Sequence, residues 1–217
     1  MKGTNMECKN YMKEIYDKDY FENGIKTGKS GYENYRWLPE RIHKEIRAVI
    51  NLLDIEPNQT VLDFGCAKGF WVRGFMEYGI RAWGVDSSIY ALSNCDLEAA
   101  PYLVKEISEL PDKKFDFIVS RNTFEHIEEV ELEAILKKFL EMTDVVFFTV
   151  PLVDPDTREY IMQMLDTTHK IHWTNEEWIR FCEKCGWKSV TNMFKLKGIH
   201  DKWESYPNSI GFYILRK

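Results

Sequence analysis

The sequence predicts an α/β fold, an open and mostly parallel sheet with helices on both faces, organised around a nucleoside site at its strand tips. Three observations carry the prediction. Val61–Phe64 reads as a short buried strand that breaks at Gly65 and Gly69 into a turn, and a helix opens at Phe70. A second strand, Arg81–Val85, ends in the acid Asp86. Further apolar runs, Phe115–Ser120 and Asp144–Val150, alternate with helix-period segments, the pattern that builds parallel βαβ units.

The turn narrows the ligand. Gly65 and Gly69 permit backbone conformations and a close ligand approach that a Cβ would obstruct. A dinucleotide's pyrophosphate calls for G-x-G-x-x-G ahead of a helix. This chain has G-x-x-x-G instead, with Asp63 two residues before the first glycine. A carboxylate there repels a pyrophosphate but receives an ammonium group. Asp86 follows Asp63 by 23 residues, the remove at which an acid accepts both ribose hydroxyls. An amino acid end, a ribose and no phosphate describe S-adenosyl-L-methionine.

On these residues the chain resembles the class I S-adenosylmethionine-dependent methyltransferases, in particular the small-molecule group that includes the ubiquinone-biosynthesis type. The likeness is clear from about Thr60 to Val150. The family's G-C-G-x-G appears as Gly65-Cys66-Ala67-Lys68-Gly69, with Ala67 in place of the middle glycine. The resemblance implies a Rossmann-like methyltransferase fold, a mostly parallel seven-stranded sheet with an antiparallel C-terminal strand. It also implies a cofactor site made of Asp63, Gly65, Cys66, Ala67 and Gly69 in the turn, with Asp86 and Ser87 after the second strand and Arg121 after the fourth. Glu106 stands four residues before Leu110-Pro111, where relatives hold the adenine amino group, and the backbone of Ile107 would serve the ring.

Taken in order, Tyr16 to Trp37 is rich in tyrosine, glycine and charge without sustained periodicity. It reads as an ordered arm with turns at Asn23-Gly24 and Gly28 to Gly31. A similar segment folds over the cofactor cleft in many relatives. Residues 1–38 are therefore expected to form an aromatic lid using Tyr20, Tyr32, Tyr35 and Trp37, with Arg36 as a partner for the methionine carboxylate, and residues 39–217 the methyltransferase domain. Ile42, Ile46, Val49, Ile50 and Leu53 make one apolar stripe on a helix over Pro39–Leu53. Phe70 to Gly79 is apolar on more than one face, as a sandwiched helix would be.

A helix capped by Ser87 or Ser88 is expected before Pro101, then a strand over Tyr102–Ile107. The loop Arg121–Ile127 carries the family's Glu-His pair as Glu125-His126. A helix over Glu131–Met142 leads to the strand stopped by Pro151. Leu152 to Trp173 occupies the place of an acceptor-selecting loop in the relatives. Thr174 and Glu177 form a capping box opening a helix that stops near Gly186. Lys188–Lys195 and Ser209–Leu215 are the last two strands, an antiparallel edge pair in relatives.

Composition bounds the partners. A chain of 217 residues with 44% hydrophobic content builds one sizeable core. Net charge is −6, with 29 basic residues against 35 acidic and no dense basic block, which speaks against duplex nucleic acid. No apolar run is long enough for a bilayer and Met1–Asn10 is polar, so a cytoplasmic protein without a membrane partner is expected. The five cysteines, at 8, 66, 95, 182 and 185, are expected to stay reduced, and Cys182-x-x-Cys185 to pack within a helix. Oligomeric state is left open.

Methyl transfer to a hydroxyl or ammonium acceptor requires alignment, exclusion of water and removal of a proton. Histidine suits the last task near neutrality. His126 and His172 are the candidate bases, with His169 in the same loop. His169-x-x-His172 lacks a nearby carboxylate pattern, so no metal is expected there. The expected activity is transfer of a methyl group to an oxygen or nitrogen of a small molecule. The Tyr20–Trp37 segment resembles enzymes that modify sugars or glycan precursors, which suggests a sugar-like acceptor. The alternatives are a protein or RNA methyltransferase, or a catalytically inactive cofactor-binding partner subunit.

Overall fold

Alternate residues of each central strand enter two different apolar cores, and this places helices on both faces of the sheet. Leu62, Ile118, Val146, Phe148, Tyr213 and Leu215 meet Leu132, Leu136, Phe139, Trp178 and Phe181 on one face. Val61, Phe117, Val119, Phe147, Phe212 and Ile214 meet Ile42, Ile46, Val49, Phe70, Trp71 and Phe75 on the other. The computed structural model describes residues 15–111, 113–162 and 165–217. Cys8 and the polar start of the arm lie outside the described residues.

The strands are β1 (Thr60–Phe64), β2 (Arg81–Val85), β3 (Leu103–Val104), β4 (Phe117–Arg121), β5 (Val145–Pro151), β6 (Ser189–Met193) and β7 (Ile210–Arg216). They form one sheet in the order β3-β2-β1-β4-β5-β7-β6. β1 pairs in parallel with β2 and β4, and β7 runs antiparallel to both β5 and β6. The order reverses between β1 and β4, so the crevice beyond their carboxyl ends is the topological switch point of the sheet, where open α/β sheets take their ligands.

The helices are α1 (Lys18–Glu22), α2 (Gly24–Thr27), α3 (Pro39–Leu53), α4 (Phe70–Glu77), α5 (Ile89–Ser93), α6 (Glu129–Met142) and α7 (Asn175–Lys184). α4 lies between α3 and the β1–β2 edge, the sandwiched position its apolar faces imply. A Cβ at Gly74 would approach Ile46 Cγ1 to 2.7 Å, so glycine sets how closely α3 and α4 pack. The capping box at α7 forms, with Thr174 accepting from Glu177 N and Glu177 accepting from Thr174 N. Cys182 and Cys185 are buried in the core as free thiols. Among the described residues no helix is long and apolar enough to cross a membrane.

Three local expectations change. The strand over Tyr102–Ile107 shrinks to Leu103–Val104, flanked by 3-10 turns at Ala100–Tyr102 and Ile107–Glu109. Pro101 has no N–H for a ladder, and Glu109 Oε2 takes the Lys105 N–H at 3.0 Å. The helix after Asp86 is only five residues long, and its cap is Ser88, whose Oγ accepts from Ala91 N at 3.0 Å, not Ser87. The arm, read as turns, contains α1 and α2. Asp17 caps α1 by accepting from Tyr20 N at 2.9 Å, and Gly28 at φ +72° closes α2. Burial of Tyr20 and Phe21 fixes these helices, which are too short to show a period.

Candidate functional site

The turn after β1 is held by backbone bonds to β2. Val85 O accepts from Gly65 N at 2.8 Å and Cys66 N at 3.1 Å, and Ala67 N donates to Asp86 Oδ2 at 2.8 Å. Three successive N–H groups are thereby committed inside the protein and are withheld from a phosphate. Ala67 stands at φ +48°, the left-handed conformation that the family's glycine would take without strain.

On the side where a Cβ would stand, the two motif glycines are packed against protein, which gives a second reason for glycine there. A Cβ at Gly65 would lie 2.1 Å from Thr123 Oγ1, and one at Gly69 2.7 Å from Leu103 Cδ1. Both positions also have positive φ, +82° and +77°. Gly65→Ala is expected to cost about 3 kcal/mol, combining left-handed strain with overpacking, and to lower the Tm by roughly 6–12 °C. Gly79→Ala separates the two contributions: φ is +75°, but the nearest atom to the new Cβ is Pro57 Cβ at 3.9 Å. Equal losses in thermal denaturation of the two variants would remove the steric account.

Asp63 at the end of β1 is 4% exposed. Burial, reinforced by the charge of Asp86 and opposed by Arg121, pushes its carboxyl up to about 8. Asp86 Oδ1 accepts from Ser88 N and Oδ2 from Ala67 N, both at 2.8 Å. Burial raises its pKa while those two N–H groups oppose the rise. Each Asp86 oxygen keeps a lone pair for a further donor. The set therefore fits a group with an ammonium and two vicinal hydroxyls, and does not fit a pyrophosphate. Arg121 is steered by Glu45, a buried carboxylate on α3 that receives Arg121 Nη2 at 3.1 Å, Arg41 Nε at 2.9 Å and Trp71 Nε1 at 2.8 Å. Nothing in the amphipathic pattern of α3 distinguished Glu45 from an exposed glutamate.

Glu106 lies exposed at the start of the 3-10 turn after β3, with Ile107 half-buried behind it. Cys66 is buried against Gly84, where a Cβ would meet its Sγ at 2.6 Å. Ser87 is exposed beside Asp86.

The arm lies across this crevice. Ser88 Oγ donates to Tyr16 O at 2.7 Å, and Lys68 Nζ bonds Glu22 and, at 2.9 Å, Tyr35 O. Tyr90 OH donates to the same Glu22 carboxylate at 3.1 Å. Tyr32 and Tyr35 stack edge to face, with Tyr35 and Trp37 against Phe70. Arg36 is exposed, while Lys68 is buried beneath the arm.

The loop after β5 completes the far wall. Tyr20 OH donates to Asp166 Oδ2 at 2.8 Å, and Thr167 N to Lys29 O at 3.1 Å, so arm and loop are tied together. Glu125 O accepts from Lys170 N at 2.7 Å and Ile171 N at 3.0 Å, which fastens the loop to the 3-10 turn Phe124–His126. His126 Nδ1 lies 2.8 Å from Thr168 Oγ1, and the Tyr16 ring meets His126 edge-on at 5.7 Å. His169 packs on His126 with ring centres 4.6 Å apart. His172 is exposed, with its ring against Tyr160. The structure thus brings His126 together with Glu125 and His169, and leaves His172 outside that group.

Comparison with known proteins agrees with this geometry. A family model described as a methyltransferase domain matches residues 36–192, more than half of the chain. A phosphoethanolamine N-methyltransferase of Triticum aestivum is 34% identical over 94 residues, covering 37% of this chain and 18% of that relative, so the match spans less than a fifth of its length. Among solved structures, a SAM-dependent methyltransferase from Archaeoglobus fulgidus superposes with a TM-score of 0.61 at 19% identity, over 82% of this chain and 94% of that one. Phosphoethanolamine N-methyltransferase 2 of Haemonchus contortus, solved in complex with S-adenosyl-L-methionine, gives 0.62 at 14% identity over 94% of this chain and 59% of that one.

Proposed function

Since the chain belongs to the class I S-adenosylmethionine-dependent methyltransferases, we propose that it transfers the methyl group to an oxygen or nitrogen of a small molecule. The observation that carries the small acceptor is the joining of the arm to the loop over Leu152 to Trp173, through Tyr20–Asp166 and Lys29–Thr167, beside Glu125 and His126. A folded protein or a duplex does not thread such a wall, and a net charge of −6 disfavours polyanions. The wheat relative's name points to an amine acceptor, and the likeness of the Tyr20–Trp37 segment to sugar-modifying enzymes points to a hydroxyl. Incubating the protein with methyl-labelled cofactor and a whole-cell extract should put label into the small-metabolite fraction. Label confined to protein or RNA would overturn this reading.

S-adenosylmethionine, when bound, supplies a methyl group already activated by a sulfonium. What remains for the chain is to hold, align and dry the reactants. Asp86 takes the ribose hydroxyls, Asp63 the ammonium, Glu106 and the Ile107 backbone the adenine, and Gly65, Cys66, Ala67, Gly69 and Ser87 shape the surface beneath. Arg121 and Arg36 are the carboxylate partners. Residues 1–38 act as the lid of a domain formed by 39–217. The Glu125, His126 and His169 end of the pocket receives the acceptor and its proton, and His172 serves at the rim.

Two consequences are measurable. With its carboxyl near 8, Asp63 is mostly protonated at pH 7, and an ammonium placed beside it lowers that value. Cofactor binding at pH 7 is therefore expected to release close to one proton, so that calorimetric enthalpies in phosphate and Tris differ by the buffers' ionisation heats. The difference should change sign by pH 9, where Asp63 is already ionised and the free cofactor's amine, with an ordinary pKa of about 8, takes up a proton to bind as the ammonium; equal enthalpies at pH 7 would remove Asp63 from the ammonium site. Glu22→Ala removes the arm's side-chain bonds to Lys68 and Tyr90, leaving only Tyr35 O on Lys68, and is expected to raise the cofactor dissociation rate several-fold in stopped flow. An unchanged rate would mean that the arm is no lid.

A further inference from the structure

Glu125 poses a problem that methyl transfer does not answer. Its side chain has no exposed surface, and among the described residues neither carboxylate oxygen has a hydrogen-bond partner. A buried carboxyl without a partner costs several kcal/mol, which a fold sustains where something else occupies the gap.

Two histidines supply the rest of a ligand set. A Glu125 oxygen and one nitrogen from each of His126 and His169 lie within 4.8 Å of one another. The hydrogen bonds around the rings engage one nitrogen of each. Thr168 Oγ1 donates to Asp166 Oδ1 at 2.6 Å, so towards His126 it accepts, and Nδ1 of His126 carries the proton at 2.8 Å. Tyr160 OH lies 2.8 Å from Nδ1 of His169. In both rings Nδ1 is thus engaged by an oxygen and Nε2 is the nitrogen left for a cation. Metal-binding imidazoles have this arrangement, the outer N–H held by an oxygen that is itself anchored. The remaining charged neighbour is Asp166, whose second oxygen is taken by Tyr20 OH.

We propose that Glu125, His126 and His169 bind a divalent transition-metal cation through one carboxylate and two Nε2 atoms. Two imidazoles and a carboxylate suit borderline cations such as Zn²⁺, Co²⁺, Mn²⁺ or Fe²⁺ and disfavour Ca²⁺ and Mg²⁺. The inference deepens the reading of this pocket as the acceptor's site: a cation there holds an acceptor oxygen and lowers its affinity for its proton. Residues from three separate segments, the arm, the turn after β4 and the loop after β5, build the site and its outer bonds.

The test reads binding without turnover, so its failure leaves the methyltransferase reading intact. The full chain is dialysed against EDTA, then against metal-free buffer, and titrated with ZnCl₂ and with CoCl₂. One cation per chain by elemental analysis and a visible Co²⁺ absorption band are expected. Glu125→Gln and His169→Gln should each weaken binding on the order of a hundredfold, and Thr168→Val about tenfold. His43→Gln, which alters a surface histidine paired with Glu77, should leave it unchanged. Circular dichroism checks that each variant folds. Substoichiometric binding by the parent chain, or affinity unaltered in folded Glu125→Gln or His169→Gln, would overturn the proposal.

Discussion

Replacing Asp86 with alanine is expected to weaken S-adenosylmethionine binding by at least tenfold, measured by titration calorimetry on the purified protein. Hydrogen bonds to a charged group contribute about 1.5–3 kcal/mol, and about 1.4 kcal/mol corresponds to one decade of affinity. Losing the carboxylate that receives two ribose hydroxyls therefore costs one decade or more. The structure adds a reason for the size of the effect. Ala67 N and Ser88 N hold the two Asp86 oxygens from opposite sides at 2.8 Å, so the carboxylate is aimed before any ligand arrives and no ordering remains to be done on binding. The free protein should suffer less. Asp86 contributes a repulsion that helps to hold Asp63 near 8, and its removal relieves that repulsion while freeing two N–H groups at a partly open edge. The variant is thus expected to show a nearly unchanged Tm without cofactor and a strongly reduced thermal shift with it. Unchanged affinity would break the assignment of the crevice to an adenosine with an amino acid tail.

The parts of the molecule legible in the sequence are those set by local pattern. β2 begins and ends at Arg81 and Val85 as read, because turn, alternation and terminal acid all coincide there. α3 spans Pro39–Leu53, and α7 follows its capping box, for similar reasons. What was not legible depends on pairs distant in the chain. Nothing near Lys68 announces Glu22, nothing near His126 announces Thr168 and Asp166, and the partner of Arg121 is a glutamate in a helix read only as a stripe. The sequence pattern implies the conformations of the glycines but not the packing behind them, since their missing Cβ atoms make room for Thr123, Leu103 and Ala99. His169-x-x-His172 reads as a pair because spacing is visible in sequence. The fold instead opposes His169 to Glu125 and His126, more than 40 residues earlier.

His126→Ala is expected to lower kcat on the order of a hundredfold to ten-thousandfold, the range over which a positioned proton acceptor accelerates a reaction. The ring is buried, its Nδ1–H is committed to Thr168, and one of its nitrogens lies within 4.8 Å of a Glu125 oxygen and a His169 nitrogen. The Nε2 lone pair of the neutral ring is needed whether it takes a proton directly or binds a cation that holds the acceptor, so in both uses activity falls on the acid side. Burial holds the pKa of His126 below 6.5. The neutral form is complete above that value and is lost as pH falls through the lowered pKa, so the acid limb of the kcat profile should lie below pH 6.5. Thr168→Val removes the acceptor for Nδ1–H without touching Nε2. With the tautomer no longer fixed, it should lower kcat and shift the acid limb while leaving the cofactor Kd near that of the parent. Mutation of the exposed His172 to alanine provides the contrast, because its ring lies outside the Glu125 group and its loss should leave the acid limb in place. Full turnover by His126→Ala would remove this end of the pocket from the chemistry altogether.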